Sequence, residues 1–157
     1  MSPINPLSKL VASLLLTLTF AVSGKAADRT VYVPLEAAVQ AAQAAGKIDG
    51  SIKFYLADAG PAEDQIDQVL RTDIVTNKKT NAVFKGDKST SLHVAQSAVI
   101  ALHSAAQKAG ADAVVNIVSY YRKQEYRSST DIECHAGATV TGVALKGDLV
   151  KLKASTE

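Results

Sequence analysis

Thr90–Tyr121 reads TSLHVAQSAVIALHSAAQKAGADAVVNIVSYY, and its two halves carry different periodicities. In the first half, Leu92, Ala95, Val99, Leu102 and Ala106 recur at the three-and-four spacing that builds one apolar face of a helix. Asp87, Ser89 or Thr90 is placed to accept the first orphan amide hydrogens, and Gly110 to end the helix in a left-handed cap. A helix over Thr90–Ala109 is therefore expected. The second half, Ala113–Tyr121, is a β-run whose apolar start is continuous enough to be buried on both faces.

Downstream, a charged turn over Arg122–Ser129 leads to strand-like runs at Thr130–Ala136, Thr139–Leu145 and Leu149–Leu152. Gly137, Gly142 and Lys146-Gly147-Asp148 separate them, the pattern of an antiparallel meander. Upstream, Val31–Val33 is a short strand, and Pro34 opens a small Ala-rich helix over Leu35–Ala45 that Gly46 ends. Ser51–Leu56 and Ile66–Thr76 read as strands, with Asn77–Asn81 turning out of the second. One long and one short helix covering one face of a mostly antiparallel sheet is an α+β fold. Residues 27–157 are expected to form it as one domain.

Residues 1–26 carry the marks of a secretory leader. Lys9 is the only charge before the apolar run Leu10–Val22, and Gly24-Lys25-Ala26 presents small residues at the cleavage positions. The expected address is periplasmic, with no stable membrane insertion, because the apolar run is shorter than the roughly 20 residues of a spanning helix. Removing the leader takes away two lysines and no acid, leaving basic side chains equal in number to the 15 acidic ones. A neutral chain lacks the electrostatic drive that nucleic-acid binding needs. Cys134 is the only cysteine, so no intrachain disulfide forms, and the thiol is either buried or free to pair with another chain.

The blocks Gly110–Ile117 (GADAVVNI), Glu133–Gly137 (ECHAG) and Gly142–Gly147 (GVALKG), with Val75–Asn81 before the long helix, resemble a group of small exported bacterial proteins. Those proteins are often, and misleadingly, labelled excinuclease ATPase subunits. The helix followed by the GADAVV strand and a glycine-ended hairpin is also similar, more distantly, to the YbjQ-like family, named for heavy-metal binding and built of units that assemble into rings. The first resemblance implies a second cysteine near the start of the long helix, facing that of the ECHAG motif. This chain has Ser89-Thr90-Ser91 there, which implies that Cys134 lies unpartnered against the helix start.

A phosphate-binding loop requires G-x-x-x-x-G-K-[ST]. The nearest stretch, Asn81–Ser89 (NAVFKGDKS), replaces the first glycine by Asn81 and inserts Asp87 before Lys88, so no ATPase is expected. Glu133, Cys134 and His135 are the candidate metal ligands. In a strand, Glu133 and His135 share a face while Cys134 points away. His93 and His103 lie about 80° apart around a helix, which is not a chelating spacing, and are read as surface or cap residues. Tyr120, Tyr121, Arg122, Lys123, Tyr126 and Arg127 form a candidate interaction patch, and Lys78, Lys79, Lys85 and Lys88 a second basic loop. The plainer reading of the patch is a hairpin tip whose Tyr rings cover the sheet edge while the charges keep it soluble. With no nucleophile elbow and no assembled acid–base pair, the expected function is a non-catalytic interaction or assembly module, without cofactor, engaging itself or an envelope protein. A transition-metal binder and a thiol sensor are the alternatives.

Overall fold

The computed structural model describes residues 28–154. The leader reading of residues 1–26 falls outside them. In chain order the elements are β1 (Arg29–Pro34), α1 (Leu35–Ala44), β2 (Lys53–Leu56), β3 (Ile66–Asn81), α2 (Asp87–Ala109), β4 (Ala113–Ser119), β5 (Asp131–Ala136) and β6 (Val140–Leu152). The fold is α+β. All pairings are antiparallel except that of β2 with β4, which is parallel.

Strand β6 is the axis of the sheet. Along one edge it pairs with β3 over that strand's whole length, and along the other it pairs with β5 near its start and β4 near its end. Strands β1 and β2 extend the sheet outward from β5 and β4. The helices share one face. Leu35, Ala38 and Ala42 of α1 and Val94, Ala95, Ala98, Val99, Leu102 and Ala106 of α2 join Val114, Ile117, Ile132, Cys134, Val143, Leu145 and Leu149 in one buried cluster. Each fully buried Leu, Ile or Val here contributes about 1.5–3 kcal/mol of transfer free energy. Alanine on the touching sides of α1 and α2 lets the two helices approach closely.

Both helices end as their glycines dictate. Gly46 and Gly110 have φ of 63° and 70°. Around them, Lys47 N–H bonds Ala42 O and Ala111 N–H bonds Ala106 O, the six-to-one closure of a Schellman cap.

Several boundaries differ from the sequence reading. Helix α2 starts at Asp87 with Gly86 as its N-cap, and no side chain caps it. Asp87 instead pairs with Arg29 at 2.6 Å, and the Thr90 hydroxyl, 2.9 Å from that of Thr141, bonds back to the carbonyls of Gly86 and Asp87. Leu92 is exposed and Val94 and Ala98 are buried, so the apolar face is rotated from the one expected. Asn77–Asn81 is not a turn. It continues β3 in unbroken register with Val140–Ala144, its polar side chains alternating along an edge strand.

Lys146-Gly147-Asp148 is not a turn either, but the middle of β6. Both neighbouring strands bulge around it: β3 between Arg71 and Ile74, and β4 between Val115 and Val118. Asp73 and Asn116, the bulged residues, have φ of 54° each. Asp148 accepts from both, through the Asp73 N–H at 2.9 Å and Asn116 Nδ2 at 2.9 Å. Glycine at 147 is steric in origin, since a Cβ there would sit 3.0 Å from Val114 Cγ1 and 3.1 Å from Val115 O.

Candidate functional site

The alternation of β5 sorts its residues as the sequence implies. Ile132, Cys134 and Ala136 are buried, the first two of them in the cluster beneath the helices, while Glu133 and His135 face the other side. Cys134 therefore shares no site with them. Its Sγ lies 3.6 Å from the Ser91 carbonyl at the start of α2. Burial, and secondarily the Glu133 charge, pushes the thiol up to about 12. A thiol in that state holds almost no thiolate, the form that reacts. The Ser91 hydroxyl beside it is buried without a partner.

On the opposite face the chain after β4 folds back over the sheet. Ser119 and Tyr126 exchange backbone hydrogen bonds, which closes the loop Tyr120–Glu125 above β5. Within the loop Arg122 and Lys123 are both left-handed, with φ of 51° and 63°. Consecutive left-handed side-chain-bearing residues cost on the order of 1–2 kcal/mol each. They turn the chain so that the Tyr121 ring stacks on His135, centroids 3.6 Å apart and planes 14° apart. The Arg122 guanidinium lies over the same ring, 5.0 Å from its centroid.

His135 is hydrogen-bonded at one nitrogen and faces a carboxylate with the other. Nε2 donates to Glu133 Oε1 at 2.5 Å, and Nδ1 lies 3.7 Å from Asp28 Oδ2. The Tyr121 hydroxyl donates to the same Asp28 oxygen at 2.8 Å, and this bond, reinforced by burial, raises the pKa of the phenol. Asp28, Thr30, Tyr121, Arg122, Glu125, Tyr126, Glu133 and His135 thus line a cleft of about 470 Å³. Two groups that the sequence kept apart, the metal candidates and the aromatic-basic patch, meet here.

Of the rest of the patch, Lys123 is exposed and the other three residues are engaged by the protein itself. Tyr126 packs on Tyr32 at 5.3 Å, Lys146 sits 4.9 Å from the Tyr120 ring centroid while also pairing with Glu125, and Arg127 pairs with Asp58 at 3.2 Å. Metal ligands must converge on one point. The carboxylates of Glu133 and Asp28 instead approach opposite edges of one imidazole, whose nitrogen lone pairs diverge. Among the described residues no three His, Cys, Asp or Glu side chains are placed to share an ion. His103 is buried rather than at the surface: its Nε2 bonds Asp49 at 3.0 Å. Hydrogen bonds from Ser51, with that of His103, hold the Asp49 carboxyl well below the usual range. His103 is thus a latch from α2 to the loop after α1, and His93 is exposed.

Asp28 and Phe84 went unread in the sequence. Asp28 lies in no motif. Phe84 stands alone in a polar loop, and an isolated aromatic between Asn81 and Gly86 was the available signal. No helix among the described residues is long and apolar enough to cross a membrane. No family model, curated protein or solved structure matches the chain.

Proposed function

We propose that this protein is a non-catalytic assembly module of the bacterial envelope that joins a second copy of itself through the free edge of β3. The envelope address rests on the leader-like residues 1–26. The observation that carries the reading is β3 itself, a 16-residue strand that pairs only with β6 among the described residues. Its first half is broken by bulges, a common protection of exposed edges. Its second half, Ile74–Asn81, runs in regular register with β6, leaving a straight row of unpaired backbone groups about 26 Å long. Another strand is the chemical complement of such a row. A second copy always brings an edge, and a chain of balanced charge does not repel its copies.

Native mass spectrometry of the chain from Ala27 onward, under reducing conditions and with and without Zn²⁺, Cu²⁺ and Ni²⁺, tests the reading. A defined oligomer independent of metal is expected. Amides of Ile74–Asn81 turned away from β6 should exchange quickly in dilute protein and slow as concentration rises. A monomer whose outward amides stay unprotected at high concentration overturns it.

A second reading, transition-metal binding, is favoured by the meeting of Asp28, Glu133 and His135 in one cleft. An ion retained stoichiometrically by the folded chain and lost in a His135→Ala variant would establish it. Thiol sensing is disfavoured by the burial of Cys134.

A further inference from the structure

Phe84 is fully exposed, at 105% of its reference area. Its backbone φ is 58°. The Lys85 N–H bonds Ala82 O at 3.0 Å, so Phe84 is the third residue of a four-residue turn, a slot whose positive φ ordinarily selects glycine. The turn is braced at its start, where Val83 N–H bonds the Asn81 side chain at 2.8 Å. A bulky aromatic in a left-handed position is a true outlier. Here the ring also gains no burial in return. Two unfavourable choices at one residue make physical sense when something outside the chain covers the ring.

The surroundings of the ring select what that is. Val83 on the turn and Val140, the register partner of Asn81, are also exposed at this end of the sheet. Lys85 follows Phe84 directly, Lys88 lies in the first turn of α2, and Lys78 and Lys79 stand three and two residues before Asn81 on β3. None of the four pairs with an acid among the described residues. The only carboxylate between Asn77 and Ser91 is Asp87, already taken by Arg29 at 2.6 Å. An exposed apolar tip with four lysines close to it in sequence, none paired with an acid among the described residues, fits an interface that is apolar inside and anionic at its surface.

We infer that the Ala82–Lys88 turn docks on anionic phospholipid bilayers, with Phe84 inserted among the acyl chains and Lys85 and Lys88, helped by Lys78 and Lys79, on the headgroup phosphates. One ring and a few lysines make weak, reversible attachment. Apart from Lys78 and Lys79, which lie on β3 itself, this surface is separate from the β3 edge, and vesicle binding is read out separately from oligomeric state.

The chain from Ala27 onward contains all six strands and both helices and lacks the apolar leader-like stretch that would itself bind lipid. It is floated with vesicles of 40% phosphatidylglycerol in phosphatidylcholine and with pure phosphatidylcholine. Binding is expected to the former and lost at high salt, where surface charge is screened. Phe84→Gly, which suits the backbone, should weaken binding about tenfold or more while the far-ultraviolet dichroism stays unchanged. Lys85→Gln and Lys88→Gln should each cost about fivefold at low salt. The chain has no tryptophan, so Phe84→Trp reports directly: its emission should shift to the blue on anionic vesicles and be quenched by brominated acyl chains. Equal binding by Phe84→Gly, binding to neutral vesicles, or an unshifted tryptophan would each overturn the inference. So would binding to an acidic polypeptide with none to the anionic vesicles.

Discussion

Replacing Gly147 by alanine tests the architecture at its tightest point. A Cβ built there lies 3.0 Å from Val114 Cγ1, 3.1 Å from Val115 O and 3.2 Å from Ile117 Cγ1, all on β4. The Val115 carbonyl is backbone beside a bulge, and Val114 and Ile117 are fully buried, so no flexible side-chain end is free to move aside. Forcing a methyl into such a core costs typically 1–3 kcal/mol. Loss of glycine's unfolded-state freedom offsets about 0.4–1 kcal/mol of that. A net loss of about 1–2 kcal/mol is expected, lowering Tm by roughly 4–8 °C for a chain of this size. Urea denaturation should show the midpoint falling with an unchanged slope. The control lies in the same strand: at Gly142 a Cβ would meet Lys78 O and Lys79 Cγ at an ordinary 3.6 Å. Gly142→Ala should therefore be neutral or stabilising. If the two alanine variants have equal midpoints, the steric account of Gly147, and with it the reading of β6 as one strand held between two bulges, is wrong.

Asp148→Ala removes the acceptor shared by Asp73 N–H and the Asn116 amide and should cost about 1–2 kcal/mol in chemical denaturation, with Asp148→Asn retaining part of it. Ser91→Ala deletes a buried hydroxyl that has no partner and should be neutral or raise stability by up to about 1 kcal/mol; a clear loss would mean that the hydroxyl is satisfied. Cys134 keeps its proton in the folded chain up to about 12, whereas the unfolded thiol ionises near the ordinary 9. Above about pH 9 the unfolded state therefore binds fewer protons and stability falls as pH rises, by about 1.4 kcal/mol per pH unit from this group up to about pH 12. Stability curves of the wild type and Cys134→Ala should accordingly converge or cross between pH 9 and 11, and parallel curves would show that the thiol is hydrated. Phe84→Gly relieves a left-handed phenylalanine and should raise the urea midpoint by an equivalent of about 0.5–1 kcal/mol; a fall in the midpoint would mean that the ring packs on the fold.

The stretch Thr90–Ser119 was legible because local signals agree with tertiary demands: apolar spacing, a terminating glycine, then a continuous β-run. The same rules misread Gly147 and Asn77–Asn81. Glycine between lysine and aspartate is also the composition of a turn, and what selects it here is the approach of β4, which local sequence does not encode. Asn77–Asn81 is polar because it lies on an edge strand, and polarity alone does not separate an edge from a turn. In the candidate site, strand parity put Glu133 and His135 on one face and Cys134 on the other, but left open whether the Cys134 face is the buried one. It carried no information that Tyr121 would stack on His135, since that contact depends on two left-handed residues in the intervening loop.

What the chain already uses bears on what it has left to offer. Of the six patch residues, Tyr121, Tyr126, Tyr120 and Arg127 are engaged with His135, Tyr32, Lys146 and Asp58, and Arg122 lies over Tyr121. These contacts cover the outer face of the sheet around β5 and β1. Among the described residues none of these contacts reaches the regular half of β3, Ile74–Asn81, which runs into the Phe84 turn, where Ala82 N–H bonds Thr139 O at 2.9 Å. The two proposed surfaces therefore meet at one corner, at right angles in purpose. A bilayer touching Phe84 lies at the end of β3, and the strand leaves it at about 3.3 Å per residue, so its free edge stays lateral and open to a neighbour on the same membrane. Confinement to a surface raises the effective concentration of such neighbours without any new contact. Assembly and lipid binding should then be coupled: Phe84→Gly should shift vesicle-bound oligomers toward monomer while leaving the concentration dependence of assembly in free solution unchanged. Equal effects in both settings would mean that Phe84 belongs to the interface between copies rather than to a lipid contact.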